Sequence, residues 1–419
     1  MDHFALRNGV LHCEDVALSA IAAAVGTPVY VYSRATLARH ARVFAEAVSI
    51  IPRTHIAFAV KSNPNLAVLR VLQREGYGAD VTSVGEMQRA LAAGVAPGEI
   101  VFSGVGKMAR EMRAALQAGV GQFNLESEEE GIELAQIAVA MGLGATATLR
   151  VNPDVDAGTH AKISTGKAEN KFGVAYDSAA AIYARLAALP GLNLRGLALH
   201  IGSQITSLDP SRAAFTKMGV LMRELRGAGF TVTHMDLGGG LGVPYRAGEQ
   251  LPGPADYGAM VAEVACDWDA TIQFEPGRVI TGNSGVLLTQ VIRVKPGSAA
   301  PFVVVDAAMN DLVRPAMYDA WHDFVAVEPN GARMIANIVG PVCESSDTFA
   351  MGRDIDAVKA GDLAVFRTAG AYGATMANTY NSRALVPEVM VDGDKWAVVA
   401  ERIEPTTIMA AEHVPAWLD

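Results

Sequence analysis

From about Ser33 to Gly277, short apolar runs rich in β-branched and aromatic residues alternate with longer stretches in which Ala and Leu recur at helical spacing. The runs His55–Val60, Ala79–Thr82, Ile100–Ser103, Gln122–Leu125, Thr146–Val151, Arg195–His200, Thr231–Leu237 and Thr271–Glu275 predict eight strands. The stretches around them predict helices over Ala35–Ile50, Asn65–Glu75, Gly85–Ala93, Arg110–Ala118, Glu128–Met141, Asp177–Leu189, Arg212–Ala228 and Ala255–Ala265. Eight buried strands alternating with helices predict a parallel (β/α)8 barrel of the α/β class. Polar residues gather where these strands end, at Lys61, Asp80, Ser103, Glu126, Arg150, His200, Gly238 and Glu275. Barrels of this kind carry their chemistry on that C-terminal rim.

Past Gly277 the pattern changes. Val286–Val294, Phe302–Asp306, Gly361–Arg367, Pro387–Val391 and Lys395–Ile403 read as strands separated by turns, with few helical periods. They predict a second, C-terminal β-rich domain of sandwich or barrel-like form. Pro28–Tyr32, strand-like and ahead of the first barrel helix, pairs with that domain in this reading. The expected division is residues 33–277 for the barrel and residues 1–32 plus 278–419 for the β-rich part. Asp154–Gly173, rich in Gly, Thr, Lys and Asn, is expected to form a lid or to be disordered.

Composition narrows the class. A chain of 419 residues with 51% hydrophobic and 19% charged positions is globular and large enough for two domains. A net charge of −10, with no basic run, argues against nucleic-acid or anionic-membrane partners. The first twenty residues contain Asp2, Arg7, Glu14 and Asp15 and show no signal-peptide pattern, and no run of 18 apolar residues predicts a spanning helix. Cys13, Cys266 and Cys343 are odd in number and far apart, which suits a reducing cytoplasm.

Candidate chemistry starts at Lys61, which closes the run His55–Asn63. An amine there either forms a Schiff base with a carbonyl or snorkels to solvent. Asp236-Leu-Gly-Gly-Gly-Leu-Gly242 follows the seventh strand, where backbone N–H groups can converge on a phosphate; a flexible turn is the plain alternative. Glu275-Pro-Gly-Arg278 offers a carboxylate for a pyridinium nitrogen, or an ion pair across a turn. His200-Ile-Gly-Ser203 offers an imidazole to stack on a planar ring and a hydroxyl for its phosphate, or a structural histidine. In the C-terminal part, Arg314 and Tyr318 suit a carboxylate-bearing substrate. Cys343 and Glu344 pair a thiol with an acid, and Ala369-Gly-Ala-Tyr372-Gly places a phenol in a permissive loop. Taken alone, Cys343 would be an inert buried cysteine.

The order Phe58-Ala-Val-Lys61-Ser-Asn63, His160-Ala-Lys-Ile-Ser-Thr-Gly166, Lys171-Phe-Gly173, His200-Ile-Gly-Ser-Gln204, Asp236-Leu-Gly-Gly-Gly240, Glu275-Pro-Gly-Arg278, Cys343-Glu-Ser345 and Gly370-Ala-Tyr372 closely resembles the diaminopimelate decarboxylases. These are pyridoxal-phosphate enzymes of the barrel type (fold type III). The match runs from about Pro28 to about Val391; Met108, where the family often has threonine, looks peripheral. The resemblance implies that Lys61 holds pyridoxal 5'-phosphate as a Schiff base, that His200 covers a ring face and that Glu275 pairs with the ring nitrogen. It places Ser203, Gly239, Gly240, Arg278 and Tyr372 around the phosphate, with Asp80 and Arg150 lining the cofactor and Gly277 among the residues that bind it. It assigns Arg278, Arg314, Tyr318, Glu344 and Tyr372 to the amino-acid substrate and makes Cys343 the proton donor. Cys343 and Glu344 would come from the partner subunit of a homodimer, and no metal is implied.

Three other readings bear on the same residues. A related decarboxylase acting on ornithine, arginine or a carboxylated polyamine would need acidic partners for a distal amine, whereas the arginines favour a distal carboxylate. An alanine racemase of the same fold pairs its ring nitrogen with arginine, which does not suit Glu275. A non-catalytic cofactor-binding regulator would typically stop after the barrel or lack Lys61 or Cys343.

Overall fold

The computed structural model describes residues 2–156 and 170–418. The motif His160–Gly166, and most of the loop expected to act as a lid, lie outside the described residues. The chain divides into two compact units, one of residues 38–243 and 250–280, the other of residues 1–37, 244–249 and 281–419.

The first unit is a closed barrel. Its strands are β1 (Thr54–Ala59), β2 (Gly78–Val81), β3 (Ile100–Phe102), β4 (Gln122–Leu125), β5 (Ala145–Asn152), β6 (Leu192–Ala198), β7 (His234–Asp236) and β8 (Thr271–Phe274). Each pairs in parallel with the next, and β8 returns to β1 through Ile272 opposite Thr54 and Phe274 opposite Ile56. Helices cover the outside, and their starts are written locally. Asn65, Ser83 and Ser127 each cap a following helix by accepting a backbone N–H. Three glutamates fill the first turn of Glu128–Met141, where the helix dipole favours anions.

Several strands are shorter than the apolar runs suggest. β1 stops at Ala59, so Lys61 sits on a single 3-10 turn, Val60–Ser62, and not in the strand. The Ser62 hydroxyl closes that turn by donating to the Ala59 carbonyl at 2.8 Å. β7 keeps only His234–Asp236, and β6 begins earlier than expected, at Leu192.

In the second unit, Gly285–Lys295 is the central strand. It pairs antiparallel with Val29–Ser33, Leu363–Phe366 and Phe302–Val305. Val29–Ser33 in turn pairs in parallel with Glu388–Asp392. Leu11, Cys13, Leu18, Ile21, Val31, Leu288, Val365 and Val389 pack beneath this sheet. Strands Arg333–Val339 and Thr348–Asp356, and the small sheet of Phe4–Arg7, Val10–Cys13 and Val16–Ala17, are additions to the elements read from the pattern.

Candidate active site

The barrel mouth gathers the residues expected on its rim. On the turn after β1, Lys61 places its Nζ 2.7 Å from Asp80 Oδ2, across the register pair Ala59–Asp80 of β1 and β2. Asp80 is fully buried while the Lys61 side chain is 39% exposed, so the amine faces the mouth and its counter-charge faces the core. The other Asp80 oxygen accepts no hydrogen bond among the described residues. An acceptor left over in a buried site marks a place prepared for a further donor.

His200, two residues past β6, receives the Gly239 N–H on its Nδ1 at 3.2 Å. That nitrogen is therefore an acceptor, and any ring proton is on Nε2. Desolvation first, then the cations Arg150 and Lys61, push His200 well below the usual histidine range, so the imidazole is neutral.

The glycine run after β7 needs its glycines. A Cβ on Gly239 would run into the Glu275 carbonyl oxygen, and Gly240, at φ +109°, would drive one into Gly202. Gly238 donates to Asp236 Oδ1 at 2.9 Å and accepts from the Glu275 N–H at 2.7 Å, which ties the loop to the end of β8. Beside it, Arg278 donates to Ser203 Oγ at 3.0 Å. A glycine loop that no side chain can fill, flanked by the Ser203 hydroxyl and the buried Arg278 guanidinium, leaves room and donors for a phosphate monoester.

Arg150, on β5, donates to Glu126 Oε1 at 2.7 Å and lies over the Phe172 ring. The other Glu126 oxygen receives the Gly173 N–H at 2.8 Å. Glu126 appears in the sequence only as one more polar rim residue; its role in holding Arg150 shows only in the fold.

Inside the barrel lies a polar layer that the sequence reading did not isolate. Asn124, Gln122, Asp236 and Gln273 are all buried. Asn124 Nδ2 donates to Asp236 Oδ2 at 2.9 Å and to Glu275 Oε1 at 3.2 Å, and Gln273 Nε2 also donates to Asp236. The signal was present: Gln122 and Asn124 on β4 are two apart and so share one strand face, and Gln273 on β8 stands in the same relation to Glu275, the residue just past that strand. Glu275 is held well above the usual carboxyl range, by burial first and then by the charges of Asp236 and Asp80.

In the second unit, Arg314 is buried, stacks on Tyr245 at 4.7 Å and donates to His322 Nε2 at 2.8 Å. His322 Nδ1 lies 2.9 Å from the Arg367 carbonyl and must donate there, which leaves Nε2 as the acceptor. Tyr318 ends the same short helix, Arg314–Tyr318, and is half-buried. Tyr372 adopts a left-handed backbone at φ +54° between Ala371 and Gly373. Cys343 and Glu344 are exposed on a turn organised by Asp347, which accepts the Val342 and Met309 N–H groups at 2.7 Å each. The plain expectation of a buried Cys343 is thereby corrected: the residue is exposed in the single chain.

The barrel residues fit pyridoxal phosphate: an amine at the mouth, an acid at the floor and a phosphate cradle at the side. Comparison with known proteins agrees. The pyridoxal binding domain of the pyridoxal-dependent decarboxylases matches residues 34–282. Over 418 residues the chain is 50% identical to the diaminopimelate decarboxylase of Zymomonas mobilis, covering 99% of each. Among solved structures, the diaminopimelate decarboxylase of M. jannaschii in co-complex with L-lysine superposes with a TM-score of 0.96 at 32% identity, over 100% of this chain and 99% of that one. The Helicobacter pylori enzyme complexed with L-lysine gives 0.90 at 37% identity, over 94% and 98%.

The matched segment takes in the whole barrel and sets the class: a carboxy-lyase that depends on pyridoxal 5'-phosphate. Half identity along almost the entire length goes further, and the chain belongs to the diaminopimelate decarboxylase family.

Proposed function

We propose that the chain decarboxylates meso-2,6-diaminopimelate to L-lysine and CO2, the last step of lysine biosynthesis by the diaminopimelate route, as a cytoplasmic homodimer. The observation that carries this is the 50% identity to the Zymomonas mobilis enzyme across 99% of both chains. Arg314 supports the substrate: a buried guanidinium, oriented by His322 and stacked on Tyr245, is built to receive a carboxylate.

Pyridoxal phosphate, when bound, supplies the electron sink for the electron pair that CO2 leaves behind. The chain does the rest. Lys61 is the covalent tether, kept in place by Asp80. Glu275 holds a proton at the site of the ring nitrogen. Neutral His200 covers a ring face without adding charge, and Arg150 lines the same mouth. Ser203, Gly239, Gly240, Arg278 and Tyr372 hold the phosphate, and Gly277 is among the residues that bind the cofactor. Arg278, Arg314, Tyr318, Tyr372 and Glu344 hold the substrate's far end. The Cys343 thiol delivers its proton to the carbon that loses CO2, and it comes with Glu344 from the partner subunit. The β-rich part thus contributes substrate-binding and dimer residues. The exposure of Cys343 and Glu344 in a single chain supports that arrangement.

CO2 release from meso-diaminopimelate, lysine, ornithine and arginine tests the reading. Turnover is expected with the first, and a preference for ornithine or arginine would transfer the enzyme to the dibasic decarboxylases. Borohydride reduction with peptide mapping should place the cofactor on Lys61, and an adduct on another lysine would displace it from that role.

A further inference from the structure

Asp236 opens the glycine motif, yet the proposed function assigns it nothing. It is 1% exposed at the end of β7, beneath the barrel mouth. Its Oδ1 accepts the Gly238 N–H at 2.9 Å, and its Oδ2 accepts from Asn124 at 2.9 Å, from Gln273, and from Gln122 at 3.5 Å. Four donors converge on one carboxyl, the environment that favours its ionised form. Asn124 sets Asp236 and Glu275 side by side, donating from one amide nitrogen to Asp236 Oδ2 at 2.9 Å and to Glu275 Oε1 at 3.2 Å. Two buried carboxyls this close are most stable when they share one proton. The donors surround Asp236, so the proton belongs on Glu275.

We propose that Asp236 is a positioning residue that acts through Glu275: its carboxylate, pinned by Asn124, Gln273, Gln122 and the Gly238 N–H, accepts the Glu275 hydroxyl and keeps a proton on the acid that faces the cofactor's ring nitrogen. The inference deepens the pyridoxal-phosphate reading of this site and rests on it. Burial acts on both acids. For Glu275 the Asp236 and Asp80 charges add to it, and Lys61 opposes it. Asp236 too is raised, by burial first and by the Asp80 charge, but hydrogen bonds from Glu275, Asn124 and Gly238 pull it the other way. Tyr257 is a further titratable neighbour, its hydroxyl pushed up by burial and by Asp236 and so neutral, while His55 and Arg195 meet the Oε1 atoms of Gln273 and Gln122 at 3.1 and 3.2 Å. With the ring in place, the pair would carry one shared proton and one net negative charge, and that charge beside the ring nitrogen would favour a separate proton on the nitrogen, which is what keeps the ring an electron sink.

The test reads the proton itself. Isotope-edited infrared spectra of the full chain, prepared without cofactor, should show a protonated carboxyl near neutral pH that Glu275→Gln removes. Asp236→Asn should lower its titration midpoint by about one pH unit or more, a tenfold loss of proton affinity. Gln273→Met, which takes one donor from Asp236, should raise the midpoint. Shifts of opposite sign are not produced by loosened packing, so an unchanged midpoint in Asp236→Asn, or a fall in both variants, overturns the proposal. Should Asp236→Asn fail to fold, Gln273→Met alone decides: a midpoint that does not rise overturns it. In protein loaded with ring-15N pyridoxal phosphate, the nitrogen signal should move toward the unprotonated form in Asp236→Asn, and an unmoved signal counts against it. Failure of the wild-type chain to take up cofactor would overturn the functional reading instead, and the infrared midpoints would still locate the proton.

Discussion

Cys343 is held at the surface by its backbone, whose N–H donates to Asn381 Oδ1 at 3.1 Å, and its thiol is left exposed. Cys343→Ala should therefore lower decarboxylation by about 10²–10⁴-fold while cofactor absorbance and affinity stay near wild type. Near-normal turnover in that variant would remove the thiol from the acid role. A second residue prediction concerns Asp311, whose backbone oxygen accepts the Tyr30 hydroxyl at 2.5 Å and whose carboxyl accepts the Ala308 N–H at 2.8 Å. Burial, countered by that N–H, pushes the carboxyl up to about 6. An unfolded aspartate titrates near about 3.9. Between about pH 4 and 6 the folded chain thus keeps a proton that the unfolded chain has released, and stability falls as pH rises through that window. Asp311→Asn keeps an acceptor for Ala308 and removes the charge. It should be more stable than wild type by about 2 kcal/mol near pH 8 and no more stable near pH 4, as read from urea midpoints at both pH values. Equal gains at both would mean that packing, not ionisation, was changed.

At the scale of elements, Lys107 shows how the rim is braced from behind. It sits between β3 and the helix Ala109–Ala118 with its side chain wholly buried. Its amine donates to the Gly104 and Asn124 carbonyls at 2.8 Å each and to Glu130 Oε1 at 2.5 Å. Glu130 also receives the Glu126 N–H at 3.0 Å, so one cation joins a loop, β4, a helix and the carboxylate that holds Arg150. Lys107→Met would leave Glu130 buried without its counter-charge and should cost about 3–5 kcal/mol in urea unfolding; a loss under about 1 kcal/mol would show the brace to be dispensable. The same region shows what a sequence makes legible. The eight strands were readable because apolar runs and helical periods alternate, and the rim residues were readable because they follow those runs. The motifs around Lys61, His200, Gly239 and Glu275 were readable as adjacent residues. What stayed hidden depends on contacts between distant positions: Glu126 with Gly173, Asn124 with Asp236, and Arg314 with His322, whose acceptor nitrogen is set by the Arg367 carbonyl. Arg333–Val339 and Thr348–Asp356 were missed for a related reason. Arg333 and the buried Asn337 interrupt the first, and Gly352, Arg353 and Asp354 the second, so the apolar run that marks a buried strand is broken.

For the whole molecule, the proposed sharing of residues between copies makes a prediction that no single-chain site can imitate. Lys61 lies on the barrel, and Cys343 lies in the β-rich unit. If each site takes its lysine from one copy and its thiol from the other, the two single variants fail differently. A Lys61→Ala copy spoils the site on its own barrel, and a Cys343→Ala copy spoils the site it completes on its neighbour. In a mixed dimer, both defects fall on one of the two sites. The Lys61→Ala barrel meets the thiol-free neighbour, and the intact barrel meets an intact thiol. Equal, freely exchanged pools give mixed dimers in about half of all pairs, each with one sound site, so activity should recover to roughly a quarter of wild type. Activity that stays at the sum of the two inactive pools, with mixed dimers confirmed by mass, would place Lys61 and Cys343 within the same chain. The CO2 assay then reports more than recovery. Recovered sites are wild type in composition, so their KM for meso-diaminopimelate should equal that of the parent enzyme while only the maximal rate is reduced.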